Sequence, residues 1–243
     1  MTELEFKPRY YEAALDDSIP VHMLCNYLQE GAGQDANNLS FGREQIGEHG
    51  VAWVLSRMQI ELINKAVLGK KLKVKTWPSF SEKIISRREY IITDEDGKII
   101  LKCSSWWLIL NLNTRKITRI PQHMLDLNTE KPDFMVEEGN FKLKTPQDAK
   151  PVFSKDFLVR LEDIDCNGHV NNTHYIAWAI ETLPAEVVKN KTIKSLRINF
   201  KSECIDGNKI KSFVYDNGNS EYIHELVRED DGKEVFRLVS NWQ

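Results

Sequence analysis

The chain runs through the same order of elements twice, and this duplication restricts its fold more than any other feature. Glu95-Asp96-Gly97-Lys98 leads to Ser105-Trp106-Trp107 in the first half, and Asp230-Asp231-Gly232-Lys233 leads to Ser240-Asn241-Trp242 in the second, with the same interval from glycine to tryptophan. Asp-Gly pairs flanked by alternating apolar residues are tight-turn signals between antiparallel strands. Each half reads as a strand, a helix, then a run of strands joined by hairpins. One helix per half is buried only if the antiparallel strands curl around it, so the expectation is two α+β units side by side.

In the first half, residues 5–15 read as a strand entering a turn. Met23, Leu24, Tyr27 and Leu28 then recur at helical spacing, and the helix is expected to end near Gly31 and Gly33. Strand-like runs follow at 51–63, 71–77, 86–93, 99–112 and 116–120. From Pro121 to Pro151 the periodicity decays around Pro121, Pro132 and Pro146, as in a linker or covering segment. The second half starts again with a strand over 152–161, and further strands are expected over 192–201, 209–216, 221–229 and 233–241. The expected organisation is therefore a first unit over 1–120, a linker over 121–150 and a second unit over 151–243.

Composition narrows the function. With 243 residues, 41% hydrophobic and 28% charged, the chain has the make-up of a protein with real cores, not of a disordered or collagen-like one. Thirty-three Lys and Arg against thirty-six Asp and Glu argue against nucleic-acid binding by bulk positive charge. No apolar run approaches the roughly 18 to 20 residues needed to span a bilayer. Glu3, Glu5 and Lys7 interrupt any signal-peptide core, so a cytoplasmic location without membrane partners is expected. Cys25, Cys103, Cys166 and Cys204 are scattered without metal-ligand spacing, and no metal or cofactor is expected.

The chemistry concentrates at Asp165, Asn167 and His169, an acid, an amide and an imidazole at alternate positions. They stand just before a periodic run of Tyr175, Ile176, Ala179, Ile180 and Leu183, with Asn171, Asn172 and Thr173 available as N-caps and Pro184 as a stop. A helix N-terminus presents unpaired N–H groups and partial positive charge, which suits a carbonyl oxygen becoming an oxyanion. The bland reading of the triplet is a loop that caps the helix. The matching stretch of the first half, from Leu15 to His22, lacks the triplet, so a catalytic site belongs to the second half, and His22 reads as structural or pocket-lining.

Asp165-Cys166-Asn167-Gly168-His169-Val170-Asn171-Asn172 fits the Asp-x-Asn-x-His-Val-Asn-Asn of the acyl-acyl carrier protein thioesterases of the plant plastid and their bacterial relatives, which the chain resembles over nearly its whole length. Phe200-Lys201-Ser202-Glu203-Cys204 is similar to the family's basic run ending Glu-Cys, with weaker support from 53–59 and 107–121. The resemblance implies two tandem hotdog units, the first forming the acyl pocket near Met23, Leu24, Tyr27 and Leu28 and the second the catalytic half. It implies Asp165, Asn167, His169 and Glu203 as catalytic residues, with Cys204 a disputed nucleophile. It also implies hydrolysis of acyl-acyl carrier protein to free fatty acid, ending chain extension. Plastid members carry a transit peptide not seen here, so the resemblance implies a bacterial-type cytosolic enzyme.

On this reading Glu203 or His169 activates water, Asn167 positions water or carbonyl, Asp165 orients its neighbours, and the N–H groups near Val170 and Asn171 face the oxyanion. Taken singly, Glu203 reads as a solvated charge, Cys204 as inert packing, and each apolar helix residue as core. The acidic carrier protein is expected to meet a basic patch, and a homodimer is left open. The alternatives are a 3-hydroxyacyl thioester dehydratase or hydratase on the same scaffold, and a non-catalytic acyl-binding protein.

Overall fold

Residues 1–126 and 135–243 are described by the structure, a computed structural model. Pro132, one of the prolines of the expected linker, lies outside the described residues. The chain divides into two units, Met1–Glu138 and Gly139–Gln243.

In the first unit β1 (Thr2–Phe6) leads to the helix α1 (Val21–Asn38), a short α2 (Arg43–Gly47), the strands β2 (Val51–Leu62), β3 (Leu72–Glu82), β4 (Ile85–Asp94), β5 (Ile99–Asn111) and β6 (Lys116–Thr118), and a one-turn α3 (Gln122–Leu125). The strands pair antiparallel in the order β1-β3-β4-β5-β2, with β6 on β5. The second unit has β7 (Phe153–Leu158), α4 (Asn172–Glu181), α5 (Ala185–Asn190), β8 (Ile193–Phe200), β9 (Lys209–Asp216), β10 (Glu221–Arg228) and β11 (Lys233–Trp242). Its order, β8-β11-β10-β9-β7, is the first unit's order read from the other edge, again all antiparallel. Asp96-Gly97 and Asp231-Gly232 fall in the β4–β5 and β10–β11 connections, so the duplication seen in the residues is a duplication of topology.

Each long helix is buried against its own sheet. The stripe Val21, Leu24, Cys25, Leu28, Ala32 and Asp35 of α1 is buried, with the helix against β1 and β3. The helix does not stop at Gly31 and Gly33, as the glycines had suggested. A Cβ at Gly31 would stand 3.3 Å from Val74 Cγ1, so the missing side chain lets α1 lie close to β3. Beyond it Asp35 meets Arg88 of β4 at 2.7 Å, which fastens the last turns. These tertiary contacts outweigh the roughly 1 kcal/mol that a glycine costs in a helix.

One further expectation is corrected, and two others gain detail. The strand expected over 5–15 ends at Phe6, and a 3-10 turn, Tyr10–Glu12, follows, because Glu12 folds back to accept the Arg9 N–H at 2.6 Å. Pro184 ends α4 but serves as N-cap of α5, since proline is suited to a helix start. The stretch from Met135 to Glu137 covers the first unit: Met135 N–H donates to Glu89 Oε2 at 2.9 Å and Gln59 Nε2 to the Glu137 carbonyl at 3.0 Å.

In the second unit α4 packs on β9, β10 and β11. Asn171 is its N-cap, accepting from Thr173 N–H at 3.0 Å, so the expected helix start holds. Beneath it Tyr175 stacks on Phe236, with ring centroids 5.7 Å apart, and Phe200 closes on Phe236 edge-on at 5.3 Å.

Candidate active site

The Asp165–His169 stretch is a tight turn closed by a bridge between Ile164 and Val170. Asp165 N–H donates to the His169 carbonyl at 2.8 Å, and Gly168 N–H donates to the Asp165 carbonyl at 3.0 Å. Gly168 has φ +80, the left-handed conformation the turn requires. The Asp165 carboxylate accepts the Asn167 N–H at 2.7 Å and the Asn167 Nδ2 at 3.2 Å. Asp165 thus orients Asn167, an exposed residue whose amide oxygen keeps its capacity to accept.

The turn is anchored from behind by Asp163, which is buried. Its carboxylate accepts the Arg160 N–H at 2.8 Å and lies 3.3 Å from His174 Nδ1, and its carbonyl accepts the Asn171 N–H at 2.9 Å. His174 is therefore occupied in fastening the turn to α4.

Glu203 comes from the segment after β8. Lys201 and Ser202 N–H both donate to the Val235 carbonyl, at 2.9 and 3.1 Å, and the chain then leaves the sheet. Val170 N–H donates to the Cys204 carbonyl at 2.9 Å, tying the segment to the turn. His169 Nε2 and Glu203 Oε2 stand 3.2 Å apart, with side chains 30% and 40% exposed, so the pair is reachable by substrate and water. An open cleft of about 420 Å³ is lined by both, together with Ser202, Asn208, Arg228 and Asp231.

Cys204 is turned the other way and is 0% exposed. Burial pushes its thiol above the ordinary value, and the buried Tyr175 hydroxyl stands beside it without a well-formed hydrogen bond. The structure thus brings His169 to Glu203, and Asn167 to Asp165, but leaves Cys204 outside the cleft. One expectation is overturned. The N–H groups of Val170 and Asn171 do not face an oxyanion, because the carbonyls of Cys204 and Asp163 already take them. Of the expected pocket residues, Leu24, Tyr27 and Leu28 are buried and Met23 half-buried; Tyr27 stacks on Phe6 at 4.7 Å and donates to Glu12 at 2.8 Å.

The first unit repeats three backbone bonds of this turn with other residues. Ala14 N–H donates to the Ser18 carbonyl at 2.8 Å, Asp17 N–H to the Ala14 carbonyl at 3.0 Å, and Ile19 N–H to the Ala66 carbonyl at 2.9 Å. In this register Ser18 stands at the place of His169, Asp16 at that of Asn167, and Lys65 at that of Glu203. Lys65 and the Ser18 hydroxyl both bond Asp16, holding its carboxyl down to about 2. His22 falls at the place of Thr173, within the helix, so it has no counterpart role. The spacing from Arg9 and Arg160 to their helices is the sequence signal for this register. Arg228 and Asp163 carried no comparable signal.

Family models match both halves of the chain. The model of the acyl-ACP thioesterase N-terminal domain matches residues 1–127, and that of the C-terminal domain matches residues 147–243. The chain belongs to the acyl-ACP thioesterase family. Among family members it is 29% identical over 255 residues to a chloroplastic palmitoyl-acyl carrier protein thioesterase of Cuphea hookeriana, over 98% of this chain and 61% of that protein. The chain thus spans about three-fifths of the length of the first curated relatives it matches. A crystal structure of an acyl-ACP thioesterase from Bacteroides thetaiotaomicron superposes with a TM-score of 0.88 at 26% identity, covering 100% of this chain and 97% of that one. The 12:0-ACP thioesterase from Umbellularia californica gives the same TM-score at 24% identity, over 100% and 96%, a likeness of fold. The two α+β units are the hotdog units of this family. Among the described residues no group of three or more His, Cys, Asp or Glu is placed to hold a metal ion, and no helix is long and apolar enough to cross a membrane.

Proposed function

We propose that the chain hydrolyses the thioester of acyl-acyl carrier protein, releasing free fatty acid and ending chain extension. The observation that supports this most is the His169–Glu203 pair at 3.2 Å beside an open cleft, in a member of this family. Glu203 takes a proton from a water molecule as the oxygen attacks the thioester carbonyl carbon. His169, donating its Nε2–H, fixes the carboxylate that does so. Asn167, held by Asp165, steers water or carbonyl with its remaining amide capacity. The N–H of Asn172, first in α4 and without an intrahelical acceptor, takes the oxyanion role that Val170 and Asn171 cannot. Collapse of the tetrahedral intermediate breaks the C–S bond, and the proton on Glu203 passes to the leaving thiolate.

Cys204 takes no part in this reading, since a buried thiol with a raised pKa is a poor source of thiolate. The acyl chain is received by the first unit near Met23, Leu24, Tyr27 and Leu28, and the carrier protein docks through its acidic surface. Action in the cytoplasm and a homodimeric state belong to the same proposal. A panel of acyl-carrier-protein and acyl-coenzyme A thioesters tests it. Free thiol and fatty acid are expected, abolished in His169→Ala. Enoyl absorbance without thiol release would indicate a dehydratase, and binding without turnover an acyl-binding protein.

A further inference from the structure

We propose that Arg228 is a positioning residue that holds the Glu203-Cys204 backbone so that the Glu203 carboxylate meets His169, an inference that rests on the reading of Glu203 as the base. Arg228 ends β10, and its Nη1 donates to the Glu203 carbonyl at 2.7 Å. Its other face is held by Asp231 across the hairpin, with Nε to Oδ1 at 3.0 Å and Nη2 to Oδ2 at 2.6 Å. This two-point clamp fixes the guanidinium plane and leaves one N–H edge for the carbonyl. The interaction keeps Asp231 ionised, with its carboxyl held down to about 2.

The next carbonyl, that of Cys204, accepts from Val170 N–H at 2.9 Å. Two successive peptide oxygens are therefore fixed, one by Arg228 and one by the catalytic turn. Cys204 points into the core and Glu203 into the cleft. With both peptides set, the Glu203 side chain is delivered toward His169 without a strand to hold it, since β8 has ended at Phe200.

The first unit acts as an internal control. Its copy of the turn keeps the bond from Ile19 N–H to the Ala66 carbonyl, and places Lys65 where Glu203 stands. The strand position matching Arg228 lies two residues beyond the fully buried Ile92, as Arg228 lies two beyond Leu226. That position is Asp94, whose carboxylate accepts the Asp96 and Lys98 N–H groups of its own hairpin at 3.0 and 2.9 Å. The fold forms this segment and this hairpin without an arginine. The arginine is found in the unit that carries the His–Glu pair.

The test is a double-mutant cycle on the full chain, with kcat, KM and melting temperature measured on an acyl-acyl carrier protein. Arg228→Gln is expected to lower kcat by about tenfold or more with KM nearly unchanged, and to cause no further fall in a Glu203→Gln background. Arg228→Lys, which keeps the charge but not the fork, is expected to recover only part of the loss. Asp231→Asn, which loosens the clamp while leaving Arg228 in place, should fall in the same direction and serves if Arg228→Gln does not fold. An equal fall in both backgrounds, or an unchanged kcat in Arg228→Gln and Asp231→Asn while Glu203→Gln is crippled, would overturn the positioning role. Full turnover by Glu203→Gln would overturn the reading of Glu203 itself.

Discussion

His224 gives the chain a built-in sensitivity to acid. Its imidazole is fully buried on β10, with Nδ1 2.9 Å from the Ala179 carbonyl and Nε2 2.8 Å from Ser240 Oγ. A carbonyl only accepts, so Nδ1 bears the hydrogen and Nε2 accepts from the Ser240 hydroxyl, whose oxygen in turn accepts Trp242 Nε1–H at 2.8 Å. The network fits a neutral ring, and burial pushes the His224 pKa from 6.5 down to about 4. Because the folded value is depressed, the unfolded chain takes up the proton first. Stability is full above pH 6.5 and falls as the pH drops toward 4. At about 1.4 kcal/mol per pH unit, the loss across this window is about 3 kcal/mol. Urea unfolding of the wild type and of His224→Gln, which keeps a donor and an acceptor but does not titrate, measures it. Other titrating groups cancel in the difference. The wild type should lose about 3 kcal/mol relative to the variant between pH 7 and pH 4. Identical pH dependence in the two proteins would refute the burial argument.

Glu203→Gln should lower kcat on the order of a hundredfold or more, while Cys204→Ala costs far less, as steady-state thiol release will show. Asn171→Ala removes the acceptor of the Thr173 N–H and should lower stability by about 1 kcal/mol, read as a lower melting temperature. At Gly168, the first unit's counterpart Asp17 holds φ +59, so Gly168→Asn should be accepted, whereas Gly168→Val should cost about 1 to 2 kcal/mol in denaturant unfolding. Enlarging Met23 or shrinking Leu24, Tyr27 or Leu28 should shift the chain length of released fatty acids, at about 1 to 3 kcal/mol per methylene, and an unchanged profile would place the acyl pocket elsewhere.

Much of the architecture was legible because its signals are local. Alternating apolar residues and Asp-Gly turns mark β4, β5, β10 and β11 within a residue or two of their ends, and Asn171 marks the start of α4. The length of α1 was hidden because its continuation past Gly31 depends on Val74 and Arg88, which are distant in sequence. The same limit applies at the site. Asp165, Asn167 and His169 stand within five residues and are visible together, whereas Glu203 is separate from them in sequence and only the family resemblance points to it. That the Val170 and Asn171 N–H groups are already engaged follows from carbonyls at Cys204 and Asp163, which no local pattern announces. Arg228 was silent for the same reason: an arginine at a strand end is ordinary until its bond to the Glu203 carbonyl is seen. The first unit's turn was hidden by substitution, since Ala14, Asp16, Ser18 and Lys65 share no chemistry with Asp165, Asn167, His169 and Glu203. The backbone bonds reveal them as counterparts, and the equal spacing from Arg9 and Arg160 to their helices agrees.

The central claim is direct attack of water activated by Glu203 and His169, and a single-turnover experiment on a labelled acyl-acyl carrier protein tests it. Enzyme in excess is mixed with substrate, quenched at intervals, and assayed for thiol release and for acyl groups bound to the protein by mass spectrometry. Thiol and fatty acid should appear together at one rate, with no acylated protein at any time and with the rate collapsing in Glu203→Gln and His169→Ala. An acyl adduct on Cys204 that forms with thiol release and decays to fatty acid, or an unimpaired Glu203→Gln, would contradict the account.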